Sequence, residues 1–469
     1  MRITIIGAGF SGNALAQLLA STRDDAHEVC LVGAAATFGS GVAYGEARPE
    51  HLLNVRARHL GIDPDNPQDF ADWLSLGERG RDGFMPRIAY GEYLRERLRQ
   101  AMEESANLTC IDQEAVALER LPAGFRVHLG DGGRFDSDRV VLAPGALPPQ
   151  RLGGVGPRLA RSPRYIGWPW QEDGIDRIPA TARVLLVGTG LTMADVVVSL
   201  RRRGHRGDIV AISRRGLLPQ SQLPRPSDPV ELPPRVLYAL RAGDLHALVA
   251  ALRPLAAAVP DWRALVDALR PHTQAFWRQL SPVQRGRFAR HLRSYWEVLR
   301  HRLAPRTADK LEALLASGLL QVRAARLLRA GVASDADAID VVLRERGQPQ
   351  AQVERFDCLI RATGLDTDVE RTTHPLMTQL REAGLVRADP LGLGVEASAD
   401  FEVVDASGSA VRGLYCLGPL LRGRLWEITA VPELRAAAAV LAARLLSEPR
   451  PGALAAPQVA PATRPVRMR

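Results

Sequence analysis

The sequence contains almost no lysine. Lys310 is the only lysine among 61 basic residues, in a chain of 469 residues with a formal net charge of +9. The arginines that supply this charge are scattered through predicted helices, without zinc-finger spacing or an aromatic–basic recognition pattern. We therefore expect no nucleic-acid partner and assign the local basic clusters to anionic cofactors.

Cysteine is also scarce. Cys30, Cys110, Cys358 and Cys416 are far apart in the sequence and form no CxxC motif. This spacing excludes the redox-active pair of a flavin disulfide reductase and does not match a metal site, so we expect no bound metal. Cys30, Cys358 and Cys416 lie in apolar strand-like runs, which favours a role in core packing.

The sequence has no long hydrophobic run. No apolar stretch reaches the roughly 18 residues that a membrane-spanning helix needs. The chain opens with a strand and a glycine turn rather than a signal peptide. We expect a cytoplasmic protein without a membrane partner. With 46% hydrophobic residues the chain can bury a sizeable core, and its length predicts two or three domains.

Two glycine-rich turns each follow a predicted buried strand and precede a predicted helix. A strand at 2–6 leads to a helix at 13–20, and a strand at 184–187 leads to a helix at 191–203. Such a turn brings backbone amides and the positive end of a helix dipole to a pyrophosphate. The alternative is that both are packing turns without a ligand. The predicted dinucleotide contacts are Gly7, Gly9, Phe10, Ser11 and Gly12 in the first turn and Gly188, Gly190, Leu191 and Thr192 in the second.

The order of the predicted elements indicates an α/β protein with two Rossmann-type domains, each doubly wound in three layers, and a mostly helical insertion. We assign residues 1–172 and 366–446 to a discontinuous FAD-binding domain. Residues 173–365 form the NAD(P)-binding domain, which includes the helical insertion 217–317. Residues 447–469 are rich in proline, alanine and arginine and are predicted to be disordered.

The remaining predicted elements follow from apolar runs and helical spacing. The segment 37–72 is predicted to be irregular because it is rich in glycine and proline. Further strands are predicted at 27–32, 110–118, 125–128, 139–143, 208–213, 319–328, 338–344, 356–362 and 413–417, and further helices at 91–105, 236–251, 284–303 and 432–446. The glycines that follow strand ends and join the cofactor-binding candidates are Gly145, Gly364 and Gly418.

The two units differ in the residues that would contact the adenosine ribose of the bound dinucleotide. The first unit begins the chain and is completed by its C-terminal segment, which favours tightly bound FAD because a flavin carries the redox chemistry itself. The acidic residue expected at the end of its second strand is missing, since Gly33 stands there. In the second unit the same position holds Ser213, Arg214 and Arg215. A guanidinium suits the 2′-phosphate of NADPH, and a solvated turn with two exposed arginines is the alternative.

Several segments resemble a known family. They are 38–45, 51–55, 188–195 and 426–435, together with Trp296 and 300–302 in the helical insertion. These segments are similar to FAD/NAD(P)-binding flavoproteins that include bacterial FAD-dependent urate hydroxylases and aspartate N-monooxygenases. The resemblance implies a flavin seated on the loop 38–55, with the start of the last helix facing its ring or phosphate arm. The contacts that it adds are Gly41, Val42, Ala43, Tyr44, Asn54, Val55, Thr429 and Ala430.

The residue types in these segments suit that role. Gly41 allows close backbone approach, Tyr44 can cover an aromatic ring, and Asn54 offers both a donor and an acceptor. Two alternatives stay open. Tyr44 and Asn54 would instead stabilise the loop, and Thr429 with Ala430 would simply cap the last helix.

Together these features predict an FAD-dependent monooxygenase that uses NADPH and molecular oxygen to hydroxylate a small, polar, nitrogen-containing substrate. The chemistry would be carried by a flavin C4a-(hydro)peroxide, so no catalytic side chain is assigned. Arg300 and Arg302 would bind an anionic substrate, or they lie on a solvated helix face. The alternatives are a reductase that passes electrons to a quinone or protein acceptor and a non-catalytic flavin-binding regulator. The sequence leaves the oligomeric state open, a homodimer included.

Overall fold

The computed structural model describes residues 1–21, 27–170, 174–335, 337–364 and 366–448; of the predicted tail, residues 449–469 lie outside this description. The chain divides into two compact units. Unit 1 comprises the described residues of Met1–Ala47, Arg56–Pro148 and Asp366–Arg469, and unit 2 comprises those of Arg48–Val55 and Pro149–Leu365. The chain thus enters the main part of unit 2 after Pro148, whereas the sequence placed this change after residue 172.

The strands are numbered in chain order. They are β1 (Arg2–Ile6), β2 (Glu28–Gly33), β3 (Leu108–Asp112), β4 (Ala115–Arg120), β5 (Phe125–Leu129), β6 (Arg134–Ser137), β7 (Arg139–Leu142), β8 (Tyr165–Ile166), β9 (Val184–Val187), β10 (Ile209–Ser213), β11 (Leu320–Val332), β12 (Ile339–Glu345), β13 (Gln352–Phe356), β14 (Cys358–Arg361), β15 (Glu402–Val404) and β16 (Ala410–Cys416).

The α-helices are numbered in the same way. They are α1 (Phe10–Ala20), α2 (Gly41–Gly45), α3 (Asp69–Trp73), α4 (Glu78–Arg81), α5 (Arg87–Glu104), α6 (Pro157–Ala160), α7 (Leu191–Arg202), α8 (Pro234–Ala242), α9 (Leu245–Ala258), α10 (Trp262–Leu269), α11 (Thr273–Gln279), α12 (Pro282–His291), α13 (Arg293–Arg300), α14 (Pro305–Ala316), α15 (Pro375–Glu382) and α16 (Val431–Ser447).

Unit 1 is built on a sheet whose described strands follow the order β15-β16-β7-β1-β2-β3. All of its pairs are parallel except the pair of β15 with β16. The central strand β1 is buried from Ile3 to Ile6, as expected for a parallel strand covered on both faces. A separate antiparallel sheet is formed by β4, β5 and β6. The parallel order brings the carboxyl ends of β1, β2, β7 and β16 to one edge, where the first glycine turn lies.

Unit 2 is built on a sheet in the order β13-β12-β11-β10-β9-β14-β8. Alternate residues of β9 belong to two different hydrophobic clusters of unit 2. Val184 and Leu186 pack with residues of α7 and α14, whereas Leu185 packs with residues of β11, β12 and β13. The prediction of two Rossmann-type units in an α/β fold is confirmed. In unit 2 the second face of the parallel strands is covered largely by the antiparallel ribbon β11–β13.

Three predicted elements are divided in the structure. The predicted strand 110–118 is the end of β3 and most of β4, which pair with different sheets. The predicted helix 236–251 is α8 followed by α9. It breaks at Gly243, with φ +64°, and α9 restarts at Asp244, whose side chain accepts a hydrogen bond from Ala247 N at 2.9 Å. The predicted helix 284–303 is α12 followed by α13, with Leu292 between them.

Other boundaries differ by short segments. The predicted irregular segment 37–72 contains α2, the 3₁₀ turn Ala57–His59 and the start of α3. Helix α1 begins at Phe10, three residues before the predicted start, so the glycine turn runs directly into its first turn. Helix α16 continues to Ser447, the first residue of the predicted tail. Within the described part of the chain, none of the helices is long and apolar enough to cross a membrane.

Candidate functional site

The first glycine turn, between β1 and α1, is built from glycines that the surrounding backbone requires. Gly7 has φ +112°, and a Cβ there would lie 2.1 Å from the carbonyl oxygen of Ala143, just after β7. A Cβ at Gly12 would lie 1.9 Å from the Gly7 carbonyl oxygen. These glycines allow the tight turn and the close packing of α1 on β1. Phe10 and Ser11, at the start of α1, are buried.

The segment predicted as a flavin-seating loop forms the short helix α2 and packs on the first turn. Gly39 N donates a hydrogen bond to the Ala8 carbonyl oxygen at 2.8 Å. A Cβ at Gly41 would lie 2.9 Å from Gly9 Cα, and a Cβ at Gly9 would lie 3.4 Å from Gly41 Cα. Two backbone segments therefore meet here without side chains between them. A glycine at the second position of such a turn also lets a pyrophosphate approach the backbone closely.

Asn13 holds this contact together, and the sequence analysis did not single it out. The side chain is fully buried on α1. Its Nδ2 donates to the Leu94 carbonyl oxygen at 3.0 Å and to the Gly39 carbonyl oxygen at 3.4 Å, while its Oδ1 accepts from Gln17 Nε2 at 2.7 Å. The available signal was a polar residue inside an otherwise apolar helical stretch, since such a residue must find internal partners.

The other predicted residues of α2 differ in exposure. Val42 and Tyr44 are half-buried, and Ala43 is exposed. The Tyr44 ring packs edge-on against Tyr90, with 4.7 Å between the ring centroids, and Tyr90 continues into a cluster of aromatic rings that includes Phe70. Tyr44 thus has a packing role within unit 1, and its predicted contact with a flavin stays a prediction.

Four other predicted residues of unit 1 lie at the ends of its elements. Gly145 follows β7, Gly418 follows β16, and Thr429 and Ala430 directly precede α16. Among the described residues, a Cβ at Gly145 would meet nothing within 4 Å. A Cβ at Gly418 would lie 2.9 Å from Ser11 Oγ, which brings the end of β16 to the start of α1. Thr429 is exposed, and the N-cap of α16 is Ala430, which has no side-chain acceptor. Ala430 thus occupies the capping position without a side-chain bond, and the predicted flavin contact of these two residues stays a prediction.

Asn54 and Val55 lie in unit 2, whereas the first turn lies in unit 1. Their segment, 48–55, packs within unit 2 through the buried His51, whose Nε2 lies 2.9 Å from Ser199 Oγ, and through an ion pair of Arg48 with Asp176 at 2.7 Å. The Asn54 carbonyl oxygen also accepts from Gln222 Nε2 at 3.4 Å. The structure therefore does not group these two residues with the other predicted flavin contacts in one compact unit.

The second glycine turn repeats the geometry of the first. Gly188 has φ +121°, and a Cβ there would lie 2.2 Å from the carbonyl oxygen of Ala362, just after β14. Gly190 is the N-cap of α7, and within the described chain a Cβ on it would meet nothing within 4 Å. Leu191 and Thr192, at the start of α7, are half-buried. The open space beside a helix N-terminus fits the pyrophosphate of a dinucleotide.

Two hydroxyl groups connect this turn to the end of β10. Thr189 Oγ1 lies 2.6 Å from the Leu217 carbonyl oxygen and 2.9 Å from Ser213 Oγ, which accepts a hydrogen bond from Gly216 N at 3.0 Å. On the other side of the turn, a Cβ at Gly364 would lie 4.0 Å from Thr192 Oγ1. The structure thus brings the predicted residues of the glycine turn, Gly364 and the two arginines after Ser213 together within unit 2.

The two arginines that follow Ser213 have different environments. Arg214 is exposed. Arg215 is half-buried, and its guanidinium donates to Ser294 Oγ at 3.1 Å and to the Tyr295 hydroxyl at 3.3 Å. The alternative in which both arginines are exposed in a solvated turn is therefore wrong for Arg215, and its predicted contact with the 2′-phosphate stays a prediction. Its partners lie about 80 residues further along the chain and could not be found from the local sequence.

The predicted substrate arginines are both buried. Arg302 is 2% exposed; it donates to Asp267 Oδ1 at 2.5 Å and to Gln222 Oε1 at 3.0 Å, and it lies over the ring of Trp262. Arg300 is 8% exposed. Neither arginine lies on a solvated helix face. The Arg302 side chain bonds within the helical insertion, and the assignment of Arg300 and Arg302 to an anionic substrate stays a prediction.

The N-terminal part of the chain matches a known family model. The match covers residues 4–147 and belongs to the FAD-NAD(P)-binding family. It ends one residue before the change from unit 1 to unit 2 at Pro148. Residues 4–147 are an FAD/NAD(P)-binding domain. No curated protein matches the chain significantly by sequence.

Solved structures share the fold of the whole chain. L-lysine 6-monooxygenase from Pseudomonas syringae is 18% identical, covers 95% of this chain and 98% of its own, and has a TM-score of 0.63. Ornithine N-hydroxylase from Kutzneria sp. 744 is 17% identical, with the same coverage and TM-score. Thioredoxin reductase from T. acidophilum is 12% identical, covers 95% and 98%, and has a TM-score of 0.51. The FAD/NAD(P)-binding domain and the second unit therefore form a fold that enzymes of different activity share.

The structure shows why the FAD/NAD(P)-binding domain lacks an acidic residue at the end of β2. A Cβ at Gly33 would lie 2.8 Å from Ala8 Cβ, so a larger residue would displace the glycine turn. A carboxylate is supplied nearby by the neighbouring strand β3, in which Asp112 is the register partner of Gly33. Asp112 Oδ1 accepts a hydrogen bond from Ala35 N at 2.5 Å.

All four cysteines are buried and free, as their apolar sequence context indicated for three of them. Burial raises the thiol pKa of each to about 12, and for Cys30 and Cys358 a neighbouring carboxylate adds to the effect of burial. A thiol with such a pKa is protonated at neutral pH and is a poor nucleophile.

Proposed function

We propose that this protein is an FAD-dependent monooxygenase that uses NADPH to hydroxylate a small, polar, nitrogen-containing substrate. The observation that carries the proposal is the repeated turn geometry. In each unit the first glycine of the turn lies against the carbonyl oxygen of a strand end, Gly7 against Ala143 and Gly188 against Ala362. A chain with two dinucleotide turns is suited to pass electrons from one bound dinucleotide to the other.

FAD is assigned to unit 1 and NADPH to unit 2. The proposed FAD contacts of the first turn and its surroundings are Gly7, Gly9, Phe10, Ser11, Gly12, Gly41, Val42, Ala43, Tyr44, Gly145, Gly418, Thr429 and Ala430. Asp112 is the proposed acceptor for the ribose hydroxyls, in place of the acidic residue that Gly33 precludes. The proposed NADPH contacts are Gly188, Gly190, Leu191, Thr192, Arg214 and Gly364.

The structural relatives support a nitrogenous substrate. Two of them are named for hydroxylation or monooxygenation of the amino acids lysine and ornithine. The Kutzneria structure is described with reduced FAD, NADP⁺ and L-ornithine together. FAD, when bound, would supply the transfer of electrons from NADPH to oxygen. The chain's own task is then to hold two dinucleotides and to orient the substrate.

A reductase that passes electrons to another acceptor is the second candidate, because thioredoxin reductase shares the fold. A thiol relay is disfavoured by the cysteines, which are buried and free and whose thiol pKa values burial raises to about 12. A quinone or protein acceptor and a non-catalytic flavin-binding regulator are the other possible outcomes of the test.

The test begins with the purified holoprotein. Mass spectrometry of the released cofactor is expected to identify FAD rather than FMN, because the glycine turn is suited to bind a pyrophosphate and FMN has none. NADPH oxidation is then followed against a panel of amino acids and diamines, with hydrogen peroxide measured in parallel. We expect slow oxidation with peroxide release in the absence of substrate, and faster oxidation with a hydroxylated product when the substrate is present. Oxidation that requires a quinone or a protein acceptor would identify a reductase, and a lack of oxidation with every acceptor would identify a regulator.

A further inference from the structure

We propose that Arg215 is a positioning residue, which sets the coenzyme preference of unit 2 by anchoring the turn that carries Arg214. This inference rests on the proposed NADPH site, in which Arg214 meets the 2′-phosphate. It assigns to part of the helical insertion a role in coenzyme selection. Arg215 would act through its bonds to the insertion, without touching the phosphate.

The contacts of Arg215 lie at the junction of α12 and α13. Its Nη2 donates to the carbonyl oxygens of Arg290 and His291, each at 3.3 Å. Its Nε donates to Ser294 Oγ at 3.1 Å, and its Nη1 donates to the Tyr295 hydroxyl at 3.3 Å. The guanidinium also lies 4.9 Å from the centroid of the Tyr295 ring. All three guanidinium nitrogens therefore have a partner in the insertion.

These partners are chemically suited to a guanidinium. The carbonyls of Arg290 and His291 end α12, so they carry the negative end of that helix dipole, which a cation stabilises. The Tyr295 ring presents its electron-rich face to the charge. A phosphate that recruited Arg215 would have to break several of these contacts. Arg214, in contrast, is exposed.

The other end of the turn is also fixed. Ser213 Oγ accepts from Gly216 N at 3.0 Å and lies 2.9 Å from Thr189 Oγ1, inside the second glycine turn. Arg214 is thus flanked by a residue bonded to the glycine turn and by a residue bonded to α12 and α13. Anchoring on both sides limits the backbone freedom of Arg214, which lowers the entropy cost of its contact with a phosphate.

The test compares two ligands that differ in the 2′-phosphate. The purified holoprotein is titrated with 2′,5′-ADP and with 5′-ADP, and the ratio of their dissociation constants reports the recognition of the 2′-phosphate. The wild type is expected to prefer 2′,5′-ADP. Arg214→Ala is expected to reduce this preference by about 10- to 150-fold, the usual range for a lost bond to a charged group. Arg206→Ala, which removes another exposed arginine of unit 2, is the matched control and is expected to leave it unchanged.

The decisive variant is the double substitution Ser294→Ala with Tyr295→Phe. It removes two anchors of Arg215 but keeps every charge and the aromatic ring. We expect the preference for 2′,5′-ADP to fall by roughly fivefold, or about 1 kcal/mol, because the variant loosens the turn that carries Arg214 but keeps the Arg214 side chain itself. Arg215→Lys is expected to behave similarly, because an ammonium keeps the charge but cannot make the forked contacts.

A direct contact between Arg215 and the 2′-phosphate would give the opposite result in these variants. If Arg215 bound the phosphate directly, freeing it from its anchors would leave the preference unchanged or increase it, and Arg215→Lys would retain much of it. Either result overturns the positioning role while Arg214→Ala still supports the NADPH site. If the wild type shows no preference, or if Arg214→Ala has no effect, the NADPH site itself is wrong and this inference falls with it.

Discussion

Gly9 and Gly41 meet backbone to backbone in unit 1, so that a Cβ on Gly41 would lie 2.9 Å from Gly9 Cα. One residue comes from the turn after β1 and the other from the start of α2. Neither position has a side chain to fill the space beside the N-terminus of α1. The proposed FAD site depends on this contact, which gives the first prediction.

Gly9→Val is expected to yield a folded protein that lacks flavin. A Cβ at Gly9 makes an ordinary 3.4 Å contact with Gly41, so the fold tolerates it, but the two methyl groups of valine would enter the space assigned to the pyrophosphate. The measurement is FAD per protein from absorbance at 450 nm, with circular dichroism to confirm folding. Gly77→Val is the matched control, because among the described residues a Cβ there would meet nothing within 4 Å. A normal flavin content in Gly9→Val would remove the first turn from the site.

Asn13→Leu is expected to weaken FAD binding by about 5- to 150-fold. The substitution removes the amide that bonds the carbonyl oxygens of Gly39 and Leu94, and an unmade buried bond costs about 1–3 kcal/mol. Titration of the apoprotein with FAD gives the dissociation constant. Gln17→Ala is the control, since it loses only a bond to Asn13 Oδ1 and leaves both donors in place. Equal losses in the two variants would show that Asn13 does not position the segment that contains Gly39.

Much of this site could be predicted from local sequence. Strand β9 has the predicted bounds, and α7 ends one residue before its prediction, because an apolar run followed by glycines and a helix is a short-range signal. The close approach of Gly41 to Gly9 is different. It joins residues 32 positions apart, and a glycine in the sequence does not reveal which backbone it approaches.

The contacts that the sequence does not reveal have a common physical cause. Arg215 and Arg302 are each bonded to groups 35 to 80 residues away in the sequence. The sequence does not show which residue a charged side chain will pair with, and the burial of an arginine depends on tertiary contacts. Likewise, the apolar spacing of 236–251 continues through Gly243, and only the left-handed conformation of that glycine ends α8.

The native protein is expected to resist thiol reagents. Burial raises the thiol pKa of all four cysteines to about 12, so very little thiolate is present at pH 8. Iodoacetamide at that pH should add to no cysteine in the folded protein and to all four in denaturant, as measured by intact-protein mass spectrometry. NADPH oxidation should be unaffected by the treatment. Rapid labelling of a cysteine in the folded protein, accompanied by loss of NADPH oxidation, would instead support a thiol-based reductase.

Glu354→Gln is expected to destabilise unit 2 by roughly 1.5–3 kcal/mol at pH 7, the range for hydrogen bonds to charged groups. Glu354 bonds Arg323 at 2.5 Å and Arg183 at 3.0 Å, which ties β13 to β11 and to the start of β9. The Arg323 hydrogen bond is the main cause that lowers the pKa of the Glu354 carboxyl, against the opposing effect of burial.

The sign of the pH dependence follows from that lowered pKa. The ionised carboxylate contributes its full stability above the unfolded-state pKa, near 4.3, and this contribution is lost as the pH falls through the lower folded-state value. The difference in melting temperature between wild type and Glu354→Gln should therefore shrink from pH 7 towards pH 3. Glu312→Gln, at an exposed position, is the control. A difference that stays constant with pH would show that the ion pairs are not its source.

The central claim, that the protein is a monooxygenase, is tested most directly with isotopically labelled molecular oxygen. The holoprotein is supplied with NADPH, the labelled gas and the amine or amino acid that accelerates NADPH oxidation, and the product is analysed by mass spectrometry. One heavy oxygen atom is expected in the product and the other in water. Turnover that continues without oxygen when a quinone or protein acceptor is present, with no label in any product, would contradict the claim and assign the chain to the reductases.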